Sequence, residues 1–246
     1  MRAAVLPTVV AMPSIQPALR AVLFDMDGTL VETEQYWGEA MAALAARLGG
    51  RMSEAARERT VGTSMAVSMR ILHDDLGLRR SRRQLEADGR WVEDETARLM
   101  ADGVSWRPGA QQLIAAVRDA GLATALVTTT PRRLADLVLA QIGEMAPGVP
   151  AFDVTVCGDE VPARKPDPAP YLQAMTDLGV RPEECVVIED SQAGVAAGLA
   201  AGAAVLGVPA MQTLRPAPRL TLADTLVGVG VPELREILRS TAGATV

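Results

Sequence analysis

From residue 105 onward, short apolar runs alternate with segments of helical periodicity, and no other feature narrows the fold as much. "LATALVTTT" follows the helix-patterned "RPGAQQLIAAVRDAG", and then come "FDVTVCGDE", "CVVIED", "AAVLGV" and "DTLVGV". Helices are expected between them, from Pro168 to Leu178 and again after Ser191. An earlier run, "AVLF" at 21–24, has the same character. Parallel strands need a crossover connection, and a helix supplies it. The expected fold class is therefore α/β, a doubly wound parallel sheet of Rossmann-like kind, with ligands bound beyond the carboxyl ends of the strands.

Residues 35–100 depart from this alternation. "YWGEAMAALAARLGG" and "SRRQLEADGRWVEDETARLM" place apolar residues at helical intervals, and the first ends in a glycine pair suited to a helix C-terminus. A helical cap inserted into the α/β core is expected, with 34–104 as cap and 20–33 plus 105–246 as core. Residues 1–19 are expected to be a flexible leader: prolines interrupt its apolar stretch, and no small-residue cleavage site follows.

Polar residues recur where the strands finish. Asp25 and Asp27 follow "AVLF", Thr128 to Thr130 follow "ATALV", Glu189 and Asp190 close "CVVIED", and Lys165 lies in the loop "GDEVPARKPDPAPY". Each has a local explanation. Asp27-Gly28 is a turn signal, the threonines suit a helix N-cap before Pro131, Lys165 suits a solvated loop, and Glu189-Asp190-Ser191 suits the cap of a helix. Asp25 resists such treatment, because a carboxylate at the end of a buried strand is costly without a cation or hydrogen bonds. An acidic cluster at a sheet edge suits a hard divalent cation such as Mg2+, held by one or two carboxylates and by substrate phosphate oxygens.

The charge balance of −6 and the lack of a long basic run exclude a nucleic-acid partner, which requires several phosphates to be neutralised together. No apolar run reaches the roughly 20 residues of a membrane span. Cys157 and Cys185 lack metal-ligand spacing and sit in apolar runs, which suits buried free thiols in the cytoplasm. His73 is the single histidine, so acid-base chemistry rests on carboxylates and lysine.

In combination, "DMDGT", strand-end Thr128, "RKPDP" and "IEDSQAGVAAGLAAG", with the helical insert between the first two, resemble the haloacid dehalogenase superfamily. The resemblance is to its phosphatases with a small helical cap like that of β-phosphoglucomutase. It implies a Mg2+-dependent phosphatase that acts on a small-molecule phosphate ester, a sugar phosphate by cap type, through an aspartyl phosphate. Asp25 would be the nucleophile and Asp27 the general acid and base. Thr128 would donate to a phosphoryl oxygen and Lys165 would balance charge. The metal set would be Asp25, Asp190, the main chain of Asp27, and Glu189 either as ligand or as a partner of the ligands. Substrate contacts would come from Gly28, Thr129, Glu34, Trp37, Gly62 and Met65, with "TVGTSMAVS" at 60–68 as the cap loop. A monomer is expected.

Two other readings, one non-catalytic and one enzymatic, share part of this pattern. A phosphate-accepting receiver domain also combines acids, a threonine and a lysine, but it has neither a cap-sized insert after the first strand nor late metal acids. A haloacid dehalogenase needs no metal acids at all. Within the resemblance, phosphomutases of this kind carry a cationic pair in the cap where this chain has Trp37 and Met65; Arg70 or an arginine among Arg79 to Arg83 would have to compensate.

Overall fold

The structure, a computed structural model, describes residues 18–144 and 152–242. The expected leader thus lies, up to residue 17, outside the described residues, and Leu19 at its end is buried in the core. Along the described chain come β1 (Ala21–Phe24), β2 (Val31–Glu32), α1 (Glu34–Arg47), α2 (Glu54–Thr60), α3 (Met65–Asp75) and α4 (Arg82–Met100). Then follow β3 (Ser105–Trp106), α5 (Ala110–Asp119), β4 (Ala123–Val127), α6 (Arg132–Glu144), β5 (Val154–Val156) and α7 (Ala169–Leu178). The chain closes with β6 (Cys185–Glu189), α8 (Gln192–Ala200), β7 (Ala204–Gly207), β8 (Leu220–Leu222) and α9 (Val231–Ala242).

Among the described residues, six strands form one parallel sheet in the order β5-β4-β1-β6-β7-β8. Every residue of β1 is buried, which is why it reads as an unbroken apolar run. Val22 and Phe24 face a core shared with Leu113 and Val117 of α5, Val138 of α6 and Leu234 of α9. Ala21 and Leu23 face the opposite core, built with Tyr171 and Met175 of α7 and Val195 of α8. Helices on both faces make the sheet doubly wound. Register then places the site: Phe24 pairs with Leu126 of β4 and Ile188 of β6, so the polar residues just beyond emerge side by side.

The insert lies between β1 and β3. Its helices α1, α3 and α4 pack around Met41, Leu44, Met69, Leu72 and Val92, and a capping box at Ser81 and Gln84 starts α4. The chain leaves and re-enters the core through an antiparallel ribbon in which Val31 pairs with Trp106, and Arg107 donates across it to Glu32.

Three local expectations change. "DTLVGV" is not a strand: the sheet's edge is Leu220–Leu222, with Leu220 opposite Val205, while Leu226 is buried in the core beneath the turn at Gly109. Gly109 has φ +87, and a Cβ there would lie 2.3 Å from the Leu226 carbonyl carbon, so the apolarity of this segment serves packing rather than pairing. The cap loop is shorter than 60–68, because α2 includes Thr60 and α3 begins at Met65. Helix α7 starts at Ala169, one residue after the expected Pro168, and Asp167 Oδ1 accepts from Ala169 N at 2.9 Å just before it.

Candidate active site

Asp25 continues β1 by one residue, its N–H donating to Ile188 O at 3.0 Å. Its carboxylate sits beside Lys165, whose ammonium donates to Asp25 Oδ1 at 2.7 Å, Val127 O at 2.7 Å and Glu189 Oε1 at 2.6 Å. An ammonium has three N–H bonds, and here all are used. The lysine is brought inward from its loop ahead of a cis Lys165–Pro166 peptide. Glu189 Oε1 also accepts from Tyr171 OH at 2.6 Å, and Glu189 Oε2 from Ser191 Oγ at 3.2 Å. Lys165 lies 4.9 Å from the centroid of the Tyr171 ring. The chain thus holds a buried lysine between two acids contributed by neighbouring strands.

Burial first, and the Glu189 carboxylate second, raise the Asp25 carboxyl to about 7 against the pull of Lys165. Burial, then Asp25 and Glu189, raise Asp190 well above the usual range. Burial alone would lower Lys165, but the Asp25 and Glu189 carboxylates outweigh it and hold the lysine above its ordinary value. Burial also pushes both cysteine thiols up to about 12, as suits inert packing groups.

Asp27 is organised by hydroxyls. Thr33 donates to its Oδ1 at 2.5 Å, while Thr128 and Thr130 donate to Oδ2 at 3.1 and 2.7 Å. Thr128 therefore faces Asp27, and of the loop after β4 it is Thr129 and Thr130 that line the pocket. The sequence does not single out Thr33 and Thr130 as partners of Asp27: Thr33 reaches it from the segment that follows β1, and Thr128 and Thr130 reach it from the loop after β4 through the sheet register.

Carboxylate oxygens of Asp25, Glu189 and Asp190 lie within 4.8 Å of one another and all three residues are buried. That donor set fits a hard divalent cation, whose charge would offset the repulsion that raises Asp25 and Asp190. The turn is shaped for it. Gly28 has φ +81, and a Cβ there would fall 2.3 Å from Asp190 Oδ2, so only glycine lets the turn approach the acid. Gly28 itself supports the site from beneath and does not line the pocket.

The cap closes the other side. Glu34, Trp37, Gly62 and Met65 all line the pocket with Asp25, Asp27, Lys165 and Asp190, so these cap residues are gathered as the motifs suggest. Arg57 is an addition. It donates to Glu34 Oε2 at 2.7 Å, Glu34 O at 2.8 Å and Thr60 Oγ1 at 3.2 Å, and the chain makes room for it at Gly38, where a Cβ would meet Nε at 3.0 Å. Burial raises Glu34 although Arg57 opposes it. Arg70, Arg79 and Arg80 instead line a separate concavity around the turn after α3 and cannot stand in for a cation at the Met65 position. Arg57 carried no motif, and its only sequence signal was a basic residue on the short helix preceding the cap loop. Tyr171 gave none, being one aromatic on an apolar helix face.

The chain matches the family model for haloacid dehalogenase-like hydrolases over residues 19–202. It is 35% identical over 184 residues to a phosphorylated carbohydrates phosphatase of Thermotoga maritima, covering 75% of this chain and 82% of that protein. It is 33% identical to hexitol phosphatase A of Escherichia coli, covering 85% of this chain and 90% of the relative. Among solved structures, CbbY from Rhodobacter sphaeroides in complex with phosphate superposes with a TM-score of 0.72 at 29% identity, covering 88% and 99% of the two chains. Another structure of that protein, a mutant, holds xylulose-1,5-bisphosphate. With the sheet order, the inserted helices and the motif residues all in place, the chain belongs to the haloacid dehalogenase-like hydrolases, among the phosphatases of the β-phosphoglucomutase and CbbY type.

Proposed function

We propose that the protein is a Mg2+-dependent phosphatase that hydrolyses a small phosphate monoester, a sugar or polyol phosphate, through an aspartyl phosphate on Asp25. The observation that carries this reading is the placement of Asp25 on the pocket wall, bridged by Lys165 and flanked by Asp27. The names of the relatives that act on phosphorylated carbohydrates and hexitols support the substrate class.

In this reading an Asp25 oxygen attacks phosphorus as the bond to the leaving oxygen breaks, and Asp27 gives its proton to the departing alkoxide. Asp27 then takes a proton from the water that attacks the phosphorus, releasing phosphate and regenerating the Asp25 carboxylate. The hydroxyls of Thr33, Thr128 and Thr130 hold Asp27 in place for both steps. Lys165 offsets charge on the nucleophile, and the loop 128–130 supplies donors to the phosphoryl oxygens. Asp25, Asp190 and the Asp27 carbonyl would hold Mg2+, which supplies charge compensation for the phosphoryl group when bound. Glu189 acts from behind as the anchor of Lys165, since Lys165, Tyr171 and Ser191 already occupy its oxygens. The cap excludes water and contacts the leaving group through Trp37, Met65 and Gly62.

Phosphomutase activity is the weaker reading, because the cap arginine in the pocket is neutralised by Glu34 rather than free to hold a second phosphate. Buried thiols suit a cytoplasmic enzyme. The test is phosphate release from a panel of phosphate esters with Mg2+, using wild type and Asp25→Asn. The amide cannot attack phosphorus, so Asp25→Asn is expected to keep its fold and lose essentially all turnover; activity above about 1% of wild type excludes a covalent intermediate at this residue.

A further inference from the structure

Among the residues that tie the cap to the core, two outside the motifs contact cap residues that line the pocket or neighbour them. In the loop after β7, Gln212 donates from Nε2 to Val61 O at 2.8 Å and accepts at Oε1 from Gln192 N at 3.2 Å. Val61 opens the cap loop, and Gln192 begins the helix that follows Asp190 and Ser191. One amide side chain therefore joins the cap loop to the segment carrying a metal acid. Arg133 of α6 contacts Glu93 Oε2 at 2.9 Å and Asp94 Oδ1 at 3.0 Å, both on α4. Arg133 stands in the first turn after the loop whose Thr128 and Thr130 hydroxyls hold Asp27. Val61 and Glu93 line the pocket, whereas Gln212 and Arg133 do not.

We propose that Gln212 and Arg133 are positioning residues that clasp the cap shut over the substrate, each tying it to a loop that carries part of the catalytic machinery. Gln212 sets the cap loop against the Asp190 loop, and Arg133 sets α4 against the loop behind Asp27. The proposal rests on the phosphatase reading for its kinetic consequence. Both ties are weak enough to open at every turnover: one is a neutral hydrogen bond, and the other is a half-exposed ion pair that water and salt screen. A lid that admits substrate and releases product needs contacts of that strength.

The experiment uses Gln212→Met, which keeps the length of the side chain and removes its donor and acceptor, with Arg133→Met and Arg133→Lys. Steady-state hydrolysis of glucose 6-phosphate is measured beside hydrogen exchange of the unliganded protein. Gln212→Met is expected to raise KM about fivefold with kcat within about twofold, and to speed exchange at residues 61–65 while leaving β1 and β6 protected. Arg133→Met is expected to shift KM similarly and to speed exchange in α4 around Glu93, and Arg133→Lys to restore both. Unchanged exchange at these segments in both Met variants overturns the clasp, as does a KM increase that Arg133→Lys fails to reverse. Should the wild type hydrolyse no phosphate ester, the phosphatase reading fails and exchange alone decides the clasp.

Discussion

Replacing Gly28 with alanine tests whether the site depends on the close approach of a turn to a carboxylate. The glycine has φ +81, a conformation that costs an L-residue about 1–2 kcal/mol. The added Cβ would stand 2.3 Å from Asp190 Oδ2 and 2.9 Å from its Cγ. Ordinary contact begins near 3.5 Å, so the turn or Asp190 has to give way by about 1 Å. The strain alone predicts a fall in melting temperature of a few degrees for a chain of this size. Displacement of the acid matters more, since a misplacement of about 1 Å in a catalytic constellation costs on the order of 100-fold in rate. The expected result is a folded protein with kcat/KM down about 100-fold and a Mg2+ half-saturation concentration raised at least about tenfold. Phosphate release titrated with Mg2+, alongside thermal denaturation, gives both quantities. If turnover and Mg2+ saturation both stay within about threefold of wild type, Asp190 is not held by this turn and its role as a metal ligand falls with it.

Other expectations follow from the same geometry. In metal-free protein, Asp25 holds a proton between its ordinary 3.8 and about 7 that the unfolded chain has already lost, so stability should fall as pH rises through that window. Added Mg2+ should therefore raise the melting temperature more at pH 8 than at pH 5.5, and an equal gain at both would deny that the cation meets these carboxylates. Tyr171→Phe removes a buried hydroxyl that donates to Glu189, with an expected loss of about 1.5–3 kcal/mol in chemical denaturation; a change below about 0.5 kcal/mol would mean that Lys165 alone satisfies Glu189 Oε1. With glucose 1,6-bisphosphate as primer, β-glucose 1-phosphate should yield free phosphate faster than glucose 6-phosphate; isomerisation outpacing phosphate release would make the mutase reading correct.

The sheet and the polar strand ends were legible because their causes are local. A buried parallel strand must be apolar on both faces, as "AVLF" and "CVVI" are, and a carboxylate at the end of such a run stands out. Asp25, Asp27, Lys165, Glu189 and Asp190 were therefore identifiable as residues brought to one edge. The partners were not. Tyr171 and Arg57 are ordinary residues on helices whose orientation is fixed only by packing, and the Thr128 and Thr130 hydroxyls meet Asp27 through register rather than spacing. "DTLVGV" misled for a related reason, since an apolar hexapeptide looks the same whether its leucine plugs a core or its backbone joins a sheet.

The central position of β1 governs when in the life of the chain the site comes into being. Residues 21–24 pair on one side with 123–126 and on the other with 185–188. During synthesis the strand that ends at Asp25 emerges early, but Lys165, Glu189 and Asp190 follow long afterwards. Closing that distance is a high-contact-order event, which folds slowly. A nascent chain that stops short of Lys165 carries Asp25 without the lysine, Glu189 or Asp190, and with the β6 edge of β1 unpaired. Such an intermediate has no phosphate chemistry and exposes a strand edge prone to mispairing. The second half of the chain therefore completes the site and protects the first half from aggregation in the same docking event.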